Sequence, residues 1–376
     1  MSSDRKPIAV DLFSGAGGMS WGFEQAGFDV AAAFDYNHRC VEAHTENFPA
    51  CESAQADLAK ATGKSLRTLG KLGRKHIDVL FGGPPCGGFS VAGRRNPADP
   101  RNQLLLKFAA LVGELKPSYF VVENVRGLLI GDAAKKLSGF RRKVEKVGYE
   151  VVWPVQILNA ADFGVPQNRQ RIFVLGCKTD LAVPEYPTPT TPQGHANRVT
   201  CSEAIGDLMA MDQHLDHLEN DVYAGPLGSP SEYAKRLLAG VDGTRPRPRN
   251  CRRRNRTLTG CLRVDHAVEA INRFRNTKPG TREQISRFFR LAADGHAPTL
   301  RAGTDLAHGK FTAVRPIHYK HPRCITVREA ARLHSFPDWF QFHPTKWHGF
   351  MQIGNAVPPL LAKAVARSII AAIKAS

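Results

Sequence analysis

Residues 8–18 read IAVDLFSGAGG, a short apolar run that ends in a turn rich in glycine. The run predicts a buried strand over residues 8–13, and helical spacing over residues 19–26 predicts that a helix follows. Gly27 comes directly afterwards and is typical of a helix C-terminus. A strand, a glycine-rich turn and a helix in this order can cradle a nucleotide. Ser20 stands where a dinucleotide-binding motif would carry its third glycine, so a tight turn without a ligand is the alternative.

The same alternation continues through the first half of the chain. Several further apolar runs each end in a turn or in polar residues, and a segment with helical spacing lies between two of these runs. Repeated alternation of this kind implies βαβ units and an α/β fold with a mostly parallel sheet, covered by helices on both faces. The predicted strands lie at residues 30–34, 77–81, 119–122, 151–158 and 172–175, with a helix at 103–115.

The chain has 376 residues, which is too long for one typical domain and fits two. Hydrophobic residues make up 42% of it, enough to fill a core, so wholesale disorder is excluded. Four prolines at positions 184–192 predict a linker. We expect one domain over residues 1–183 and 345–376, and a smaller, irregular, β-containing domain over residues 184–344. Helical spacing predicts later helices at residues 282–292, 326–333 and 358–374.

Lysine and arginine number 52 against 34 acidic residues, which leaves a formal charge of +18. This surplus predicts a polyanionic partner, most simply nucleic acid, but does not separate an enzyme from a passive binding protein. Apolar runs stay below the roughly 18–20 residues that cross a bilayer, and residues 1–7 are polar, so we expect a cytoplasmic protein. The eight cysteines form no CxxC pair, which argues against a disulfide framework or a metal site.

Residues 82–90 read GGPPCGGFS and follow a predicted strand. A cysteine fixed after two rigid prolines at a strand end is a candidate nucleophile, provided that its site favours the thiolate. The alternative is a buried, inert thiol, but the prolines and flanking glycines make simple core filling a poor explanation for Cys86. Cys40, Cys177 and Cys324 lack such surroundings, and we expect them to be inert.

Two polar segments carry further candidates. Glu123 follows the strand predicted at residues 119–122, and a carboxylic acid there can hydrogen-bond to or protonate a substrate if its pKa is raised. An ordinary role in capping the next turn is equally open for Glu123. Arg169 and Arg171 are two residues apart, so in an extended chain they point to the same side and suit a substrate or a phosphate. A solvated charge run is the alternative for this pair.

Taken together, six segments in order resemble the motifs of bacterial-type DNA (cytosine-5) methyltransferases. They are DLFSGAGG, PPC, ENV and QNRQR, followed by TVREAARL at residues 326–333 and GNAVP at residues 354–358. The resemblance implies a Rossmann-like, S-adenosylmethionine-dependent methyltransferase fold in the larger domain. It also implies a target-recognition domain over residues 184–344, with DNA in the cleft between the two.

The resemblance implies that S-adenosylmethionine binds at the strand ends of the larger domain. Asp35, which follows the second strand, is also placed to accept ribose hydroxyls. The family often has Trp at the position of Tyr36, and either ring can stack on adenine. Asp57 and Leu58 would contact adenine. The full set of matching positions is Phe13, Gly15, Gly17, Asp35, Tyr36, Asp57, Leu58, Pro84, Leu104, Asn355 and Val357.

A covalent mechanism is implied as well. C5 of cytosine cannot attack a methyl sulfonium unaided, so the Cys86 thiolate would add to C6 while Glu123 holds or protonates N3. After methyl transfer, loss of the C5 proton and β-elimination free Cys86. Arg171 would contact the carbonyl oxygen of the base, and Arg169 would support the loop or a phosphate. The target cytosine must be flipped out of the duplex to react.

DNA contacts are expected in three places. Residues 90–101 carry the glycine, proline and arginine of a mobile lid, although they could equally be a disordered surface loop. The basic run at residues 245–256 predicts phosphate contacts, unless it is merely solvated. Two loops with flexible glycines could read bases. The candidates are Ser90, Arg94, Arg95, Arg252, Arg253, Arg254, Thr259 and Arg301.

Two alternatives remain. A tRNA cytosine-5 methyltransferase would share the scaffold, but its Cys-Phe-Thr signature is absent here. A non-catalytic DNA-binding regulator is disfavoured by the intact set of Cys86, Glu123, Arg171 and Asn355, and an oxidoreductase explains neither PPC nor ENV. We expect a monomer that acts on double-stranded DNA at the bacterial nucleoid, either alone or beside a cognate restriction endonuclease.

Overall fold

The computed structural model describes residues 5–85, 103–213, 221–239, 257–304 and 315–376. The chain divides into two compact units. The first unit comprises Met1–Asn159, Gln170–Thr188 and Leu361–Ser376, and the second comprises Ala160–Arg169 and Pro189–Leu360. The change of unit at residue 188 lies close to the expected one at 183, whereas residues 160–169 and 345–360 belong to the second unit rather than to the first.

Ten strands occur in the described part of the chain. They are β1 (Ile8–Leu12), β2 (Asp29–Asp35), β3 (Glu52–Gln55), β4 (Val79–Gly82), β5 (Tyr119–Val125), β6 (Tyr149–Val151), β7 (Gln156–Asn159), β8 (Gln167–Asn168), β9 (Gln170–Lys178) and β10 (Ala297–Pro298).

Eleven α-helices accompany them within the same residues. They are α1 (Gly18–Ala26), α2 (His38–Asn47), α3 (Gly63–Leu69), α4 (Leu104–Leu115), α5 (Asp132–Glu145), α6 (Cys201–Ile205), α7 (Glu232–Ala239), α8 (Val268–Asn276), α9 (Val327–Leu333), α10 (Lys346–Asn355) and α11 (Pro359–Ala375).

The first unit is built on an eight-stranded sheet. Its order is β3-β2-β1-β4-β5-β9-β6, and β7 also pairs with β9. Strands β1 to β5 run parallel, while β9 is antiparallel to β5, β6 and β7. The mostly parallel α/β sheet predicted from the sequence is therefore confirmed, with an antiparallel edge.

Helices cover both faces of this sheet. Because successive side chains of a strand point to opposite faces, Val10 and Leu12 face one side and Ala9 the other. The first side packs against α3, α4 and α5 in a continuous apolar core. On the opposite side, Phe23 of α1 stacks on Phe81 of β4 with ring centroids 3.8 Å apart.

The predicted strands of the first unit are confirmed, with one exception. The stretch at residues 151–158 is not a single strand, because β6 ends at Val151 and β7 begins only at Gln156. Pro154 lies in the gap and has no backbone N–H to donate to a sheet. The glycine stop is confirmed too, since Gly27 ends α1 with a φ of 109°.

The second unit is mainly helical and irregular, with β8 and β10 forming a short parallel pair. The predicted helix at residues 326–333 is confirmed as α9, whose capping box joins Thr326 and Glu329. The predicted helix at residues 282–292 is wrong. There the chain folds back on itself, with Arg282 bridged to Phe289, because the Glu283 carboxylate accepts the amides that follow it and closes a turn.

Helices α10 and α11 together form a long apolar stretch near the C-terminal end of the sequence. By length and composition alone, Lys346–Ala375 could cross a membrane, but half of that apolar window is buried in the protein. The backbone is extended at Ala356, with a ψ of 153°, so the stretch is two helices rather than one. Both properties are those of core helices. The predicted helix at residues 358–374 is confirmed as α11.

Candidate active site

The turn after β1 has an unusual backbone. Phe13, Gly15 and Gly17 adopt positive φ values of 62°, 55° and 105°. A Cβ atom on Gly17 would lie 2.2 Å from the ring of Phe48, so only glycine fits there. This turn leads into α1, whose N-terminus has no side-chain cap, and its first amides are therefore suited to an anionic group such as a carboxylate.

Asp35 fixes this turn from the end of β2. One carboxylate oxygen accepts the amide of Gly15 at 2.9 Å, and the other accepts the amide of Asn37 at 2.8 Å. Burial raises the pKa of Asp35, opposed by these backbone hydrogen bonds. Each carboxylate oxygen can accept a second hydrogen bond, so the expected contact with ribose hydroxyls is compatible with this geometry and stays a prediction.

The surroundings of the turn fit S-adenosylmethionine. The ring of Tyr36 is 72% exposed at the end of β2, a suitable surface for stacking on adenine. Leu58 is buried, and the Asp57 carboxylate accepts the amide of Ala59 at 3.0 Å. An uncapped helix N-terminus, an exposed ring and a carboxylate provide the donors and acceptors that an amino acid joined to a nucleoside requires.

A buried polar chain beneath the turn was not predicted. The Ser20 hydroxyl donates to Asp11 at 2.6 Å and lies 2.9 Å from His44 Nε2, while His44 Nδ1 lies 2.7 Å from the Ser53 hydroxyl. Burial lowers the pKa of His44 to about 3, which keeps the ring neutral. One feature of the sequence pointed to this hydrogen-bonded set: Ser20 stands where a dinucleotide-binding motif would carry its third glycine. In the structure that serine joins β1 and α1 to α2.

The loop after β4 needs its first glycine. A Cβ atom on Gly82 would lie only 1.8 Å from the carbonyl oxygen of Leu12, in the neighbouring strand β1. Strand β5 lies on the other side of β4, and Asn124 donates from its side chain to the carbonyl of Pro84 at 3.1 Å. The side chain of Asn124, in the ENV segment, therefore reaches the PPC loop at Pro84. Cys86 itself lies outside the described residues.

Glu123 of β5 and Arg171 of the neighbouring strand β9 form an ion pair. Arg171 Nε lies 2.8 Å from Glu123 Oε1, with the two side chains only 14% and 12% exposed. The other oxygen of Glu123 faces Gly83, where a Cβ atom would stand 2.9 Å from it. The antiparallel pairing of β5 with β9 sets Arg171 opposite Val125 and so brings the two charges together. A carboxylate beside the PPC loop is thus held by a guanidinium.

Arg169 does not join this pair. Its guanidinium is fully buried and donates to the carbonyl oxygens of Leu300, Gly354 and Ala356. Of the two roles that the resemblance implies for Arg169, these contacts favour support of a loop over contact with a phosphate. Arg169 and Arg171 do not share one extended strand, because Arg169 lies between β8, which ends at Asn168, and β9, which begins at Gln170.

Similar proteins were found at the level of family, sequence and structure. A family model described as C-5 cytosine-specific DNA methylase matches residues 8–371. The type II methyltransferase M.XorII of Xanthomonas oryzae pv. oryzae is 46% identical over 371 residues, which cover 98% of this chain and 86% of that protein. The type II methyltransferase M1.HphI of Haemophilus parahaemolyticus is 32% identical over 367 residues, covering 96% and 86%.

The chain belongs to the C-5 cytosine-specific DNA methylase family. A solved structure of a prophage-encoded E. coli protein, described as a DNA modification methyltransferase, agrees with this. It is 32% identical with a TM-score of 0.79, and the match covers 98% of this chain and 100% of that one. The predicted family, fold and DNA (cytosine-5) methyltransferase activity are therefore confirmed.

In the second unit of this methyltransferase, the two base-reading candidates differ in exposure. Arg301 is exposed. Thr259 is half-buried, and both its carbonyl and its hydroxyl oxygen accept hydrogen bonds from the buried Arg328, at 2.8 and 3.2 Å. Asp221 holds the same turn through the amides of Gly260 and Leu262. The turn at Thr259 is thus fixed from two sides.

The remaining predicted site residues of the methyltransferase fall into two groups. Leu104 is half-buried at the start of α4, while Asn355 is exposed and Val357 buried in the second unit, and their contact with the cofactor stays a prediction. The other group lies outside the described residues, and its roles stay predictions. Its members are Cys86, Ser90, Arg94, Arg95, Arg252, Arg253 and Arg254.

The six described cysteines are all buried and unpaired. This agrees with the expectation that Cys40, Cys177 and Cys324 are inert. Burial raises the pKa of Cys177 to about 11 and that of Cys324 to about 12, so both thiols stay protonated at neutral pH. A protonated, inaccessible thiol is a poor nucleophile.

Proposed function

We propose that this enzyme methylates C5 of a cytosine that is flipped out of a short duplex site, through a covalent bond between Cys86 and C6. The observation that carries the proposal is the Glu123–Arg171 pair, because it sets a largely buried carboxylate beside Gly83 and Pro84, close in sequence to Cys86. A carboxyl group at that position can act on the ring nitrogen of a base bonded to Cys86.

Each side chain has a separate task in this reaction. The Cys86 thiolate adds to C6, and Glu123 holds or protonates N3, so that the electrons displaced onto the ring make C5 nucleophilic. Arg171, which orients Glu123, also offers guanidinium N–H donors to the carbonyl oxygen of the base. After methyl transfer, a base or water removes the C5 proton and β-elimination frees Cys86.

The methyl group comes from S-adenosylmethionine, whose sulfonium makes that methyl electrophilic. The amides at the start of α1 would hold its carboxylate, Asp35 the ribose, and Tyr36 the adenine ring. The turn that leads to these amides is held by Asp35, and the buried Ser20 joins the strand and the helix on either side of it. The proposed contacts are Phe13, Gly15, Gly17, Asp35, Tyr36, Asp57, Leu58, Pro84, Leu104, Asn355 and Val357.

DNA recognition is assigned to the second unit together with the segment after Cys86. We assign phosphate contacts to the arginines at 94, 95 and 252–254, which contribute to the surplus of positive charge. Arg301 is the leading candidate for base contact because it is exposed. Thr259 is the second candidate, in a turn held by Arg328. Ser90 would belong to the segment that closes on the DNA.

The biological role follows the type II relatives. M.XorII and M1.HphI are type II methyltransferases, which favours a role in restriction and modification, with a cognate endonuclease in the same host. A solitary methylase is the alternative. One chain can read a short site, so the proposed state is a monomer, acting at the nucleoid in the cytoplasm.

Bisulfite sequencing of DNA from a host that expresses the chain tests the proposal. Protected cytosines should appear at one position of one short sequence, and a host that expresses Cys86→Ser should show none. Bisulfite sequencing of tRNA from the same cells provides the matched comparison. Protection confined to tRNA, or found in neither nucleic acid, would overturn the proposed function.

A further inference from the structure

Residues 167–169 of the second unit lie against the backbone of residues 297–300, which lead to Arg301. Gln167 and Asn168 form β8, which pairs in parallel with β10 at Ala297 and Pro298. The Thr299 hydroxyl then donates to the carbonyl of Asn168 at 2.8 Å. Residues 297–299 are therefore tied to residues 167–168 at every position.

Leu300 is held by two side chains from the same segment. Its amide donates to Oε1 of Gln167 at 3.1 Å, and its carbonyl oxygen accepts from Arg169 Nη1 at 3.0 Å. Gln167 is itself fixed, because its Nε2 donates to the carbonyl of Leu333 and lies 2.9 Å from His334 Nδ1. Both backbone groups of the residue before Arg301 are thus bonded to side chains that are fully buried.

The other side of the loop is fixed by a close backbone contact. A Cβ atom on Gly354 would lie 2.3 Å from the amide nitrogen of Ala302 and 2.4 Å from the carbonyl carbon of Arg301. Arg169 Nη2 donates to the carbonyls of Gly354 and Ala356 at 2.9 and 2.8 Å. The Arg169 guanidinium therefore fixes both Leu300, the residue before Arg301, and Gly354, which packs against the backbone of Arg301.

We propose that Arg169 and Gln167 are positioning residues for sequence recognition, which hold the backbone at Leu300 and Gly354 so that the exposed Arg301 side chain meets a single base edge. The inference deepens the proposed function and rests on it, since it takes Arg301 to contact bases. An exposed arginine has many rotamers, and a fixed Cα position reduces the conformational freedom that must be lost on binding.

The residue type at position 169 matters for this role. A guanidinium is planar and carries five N–H donors, so it can bond three carbonyls in fixed directions, whereas a lysine ammonium is a compact group on a flexible stem. Arg169→Lys keeps the charge and loses the fixed geometry. The same change at Arg290 is the matched control, because Arg290 also bonds several carbonyls of the second unit, at residues 274, 275 and 277, none of which belongs to residues 297–302.

The experiment measures methylation of a duplex with the site found by bisulfite sequencing and of duplexes with one base pair changed. The ratio of kcat/KM values gives the discrimination, and thermal unfolding gives stability. Arg169→Lys should lower discrimination at one base pair by roughly fivefold or more, as expected when a bidentate base contact is misplaced. Arg290→Lys should leave discrimination unchanged, even if it lowers the Tm as much as Arg169→Lys does.

A double-mutant cycle separates positioning from general destabilisation. In the Arg301→Ala background, Arg169→Lys should cause no further loss of discrimination, because the side chain that it positions is gone. Equal losses in both backgrounds, or loss in Arg290→Lys as well, would overturn the inference. So would wild-type discrimination in Arg301→Ala.

A milder pair of variants covers the case in which Arg169→Lys fails to fold. Thr299→Val removes the hydroxyl that bonds the Asn168 carbonyl, and Thr299→Ser keeps it. Thr299→Val should lower discrimination at the same base pair and Thr299→Ser should restore it. Equal discrimination in the two variants would contradict the proposal. An enzyme that methylates no DNA would instead refute the proposed function.

Discussion

Arg171 Nε lies 2.8 Å from Glu123 Oε1, and the two side chains are largely buried where β5 pairs with β9. The pair fixes the carboxyl group against Gly83, so that it cannot rotate freely in the site. A charged partner also makes the site polar in an otherwise apolar part of the sheet. Glu123 is therefore the described residue on which the proposed chemistry depends most.

Glu123→Gln should lower the rate of methyl transfer by about 100-fold or more, the usual contribution of general acid catalysis. The amide keeps the size of the side chain but can neither protonate N3 nor pair with Arg171 as an anion. Single-turnover transfer of a tritiated methyl group measures the rate. Glu150→Gln, on the exposed side of β6, is the control and should retain wild-type rates. A rate within threefold of wild type for Glu123→Gln would contradict the assigned role.

Gly82→Ala should destabilise the first unit by about 3 kcal/mol or more, because overpacking against backbone cannot be relieved by a rotamer change. The new Cβ atom would stand 1.8 Å from the Leu12 carbonyl oxygen. Gly113→Ala is the matched control. It lies inside α4, where a Cβ atom would make ordinary contacts at 3.6 Å with Val147. Thermal unfolding should show Gly113→Ala stabilised by roughly 0.5–1 kcal/mol, and a stable Gly82→Ala would refute the argument.

Tyr36→Ala should weaken the binding of S-adenosylmethionine roughly fivefold to tenfold, since an aromatic stacking contact contributes about 1 kcal/mol. Tyr36→Trp should retain the affinity because it keeps a ring for stacking. Isothermal titration calorimetry measures both dissociation constants. Trp153, 47% exposed, provides a control aromatic residue, and Trp153→Ala should bind as the wild type does. Unchanged affinity in Tyr36→Ala would remove Tyr36 from the cofactor site.

A buried ionic cluster makes the second unit sensitive to acid. His318 Nε2 lies 3.6 Å from Glu329 Oε1, and Arg323 bonds both oxygens of Glu329 as well as Asp212. Burial lowers the pKa of His318 to about 4. Burial would raise the pKa of Glu329, but the Arg323 guanidinium outweighs it and holds that pKa at about 2.

Stability should therefore be lost in two steps as the pH falls. Between about pH 6.5 and pH 4, His318 is protonated in the unfolded chain but neutral in the folded protein, so each drop in pH favours unfolding. Between about pH 4.5 and pH 2, Glu329 is protonated in the unfolded chain but still ionised in the folded protein, with the same effect. His318→Asn should remove the contribution of His318 to the first step, up to about 3 kcal/mol, while His44, whose pKa burial also lowers, still contributes. Tm values between pH 4 and 8 test this, with the exposed His195→Asn as control. Parallel pH curves for wild type and His318→Asn would contradict the assignment.

Most of the central sheet could be predicted because its strands are buried on both faces. β1, β2, β4 and β5 are therefore nearly continuous apolar runs, which local sequence reveals. β3 was missed because it lies at the edge of the sheet, where its sequence ESAQ is polar and only half-buried. α2 was missed for a similar reason, since HRCVEAHTEN carries few apolar residues and the helix depends on packing.

The candidate site could be predicted in part. Glu123 lies near the end of β5 and Pro84 follows β4, and since these strands are parallel neighbours the two segments had to meet. The separation of Arg169 from Arg171 could not be predicted, because it depends on the break between β8 and β9 at Arg169 and on carbonyl partners that are far away in sequence. The chain of Asp11, Ser20, His44 and Ser53 also escaped prediction, as its members are far apart in sequence and meet only in the fold.

The proposed reaction depends on covalent catalysis by Cys86. Cys86→Ser should abolish methyl transfer, because a serine hydroxyl at neutral pH is a far weaker nucleophile than a thiolate, while S-adenosylmethionine should still bind. Cys177→Ser is the control, since the buried thiol of Cys177 has a pKa raised to about 11. Full methylation by Cys86→Ser would exclude Cys86 as the nucleophile.

The most direct measurement uses duplex DNA with 5-fluorocytosine at the target position. Fluorine cannot leave as a cation, so β-elimination is blocked after methyl transfer and the enzyme stays bonded to C6. With S-adenosylmethionine present, wild type and Cys177→Ser should give a complex that survives denaturing electrophoresis, and peptide mapping should place the bond at Cys86. An active wild-type enzyme that forms no such complex, or one that maps to another residue, would contradict the mechanism.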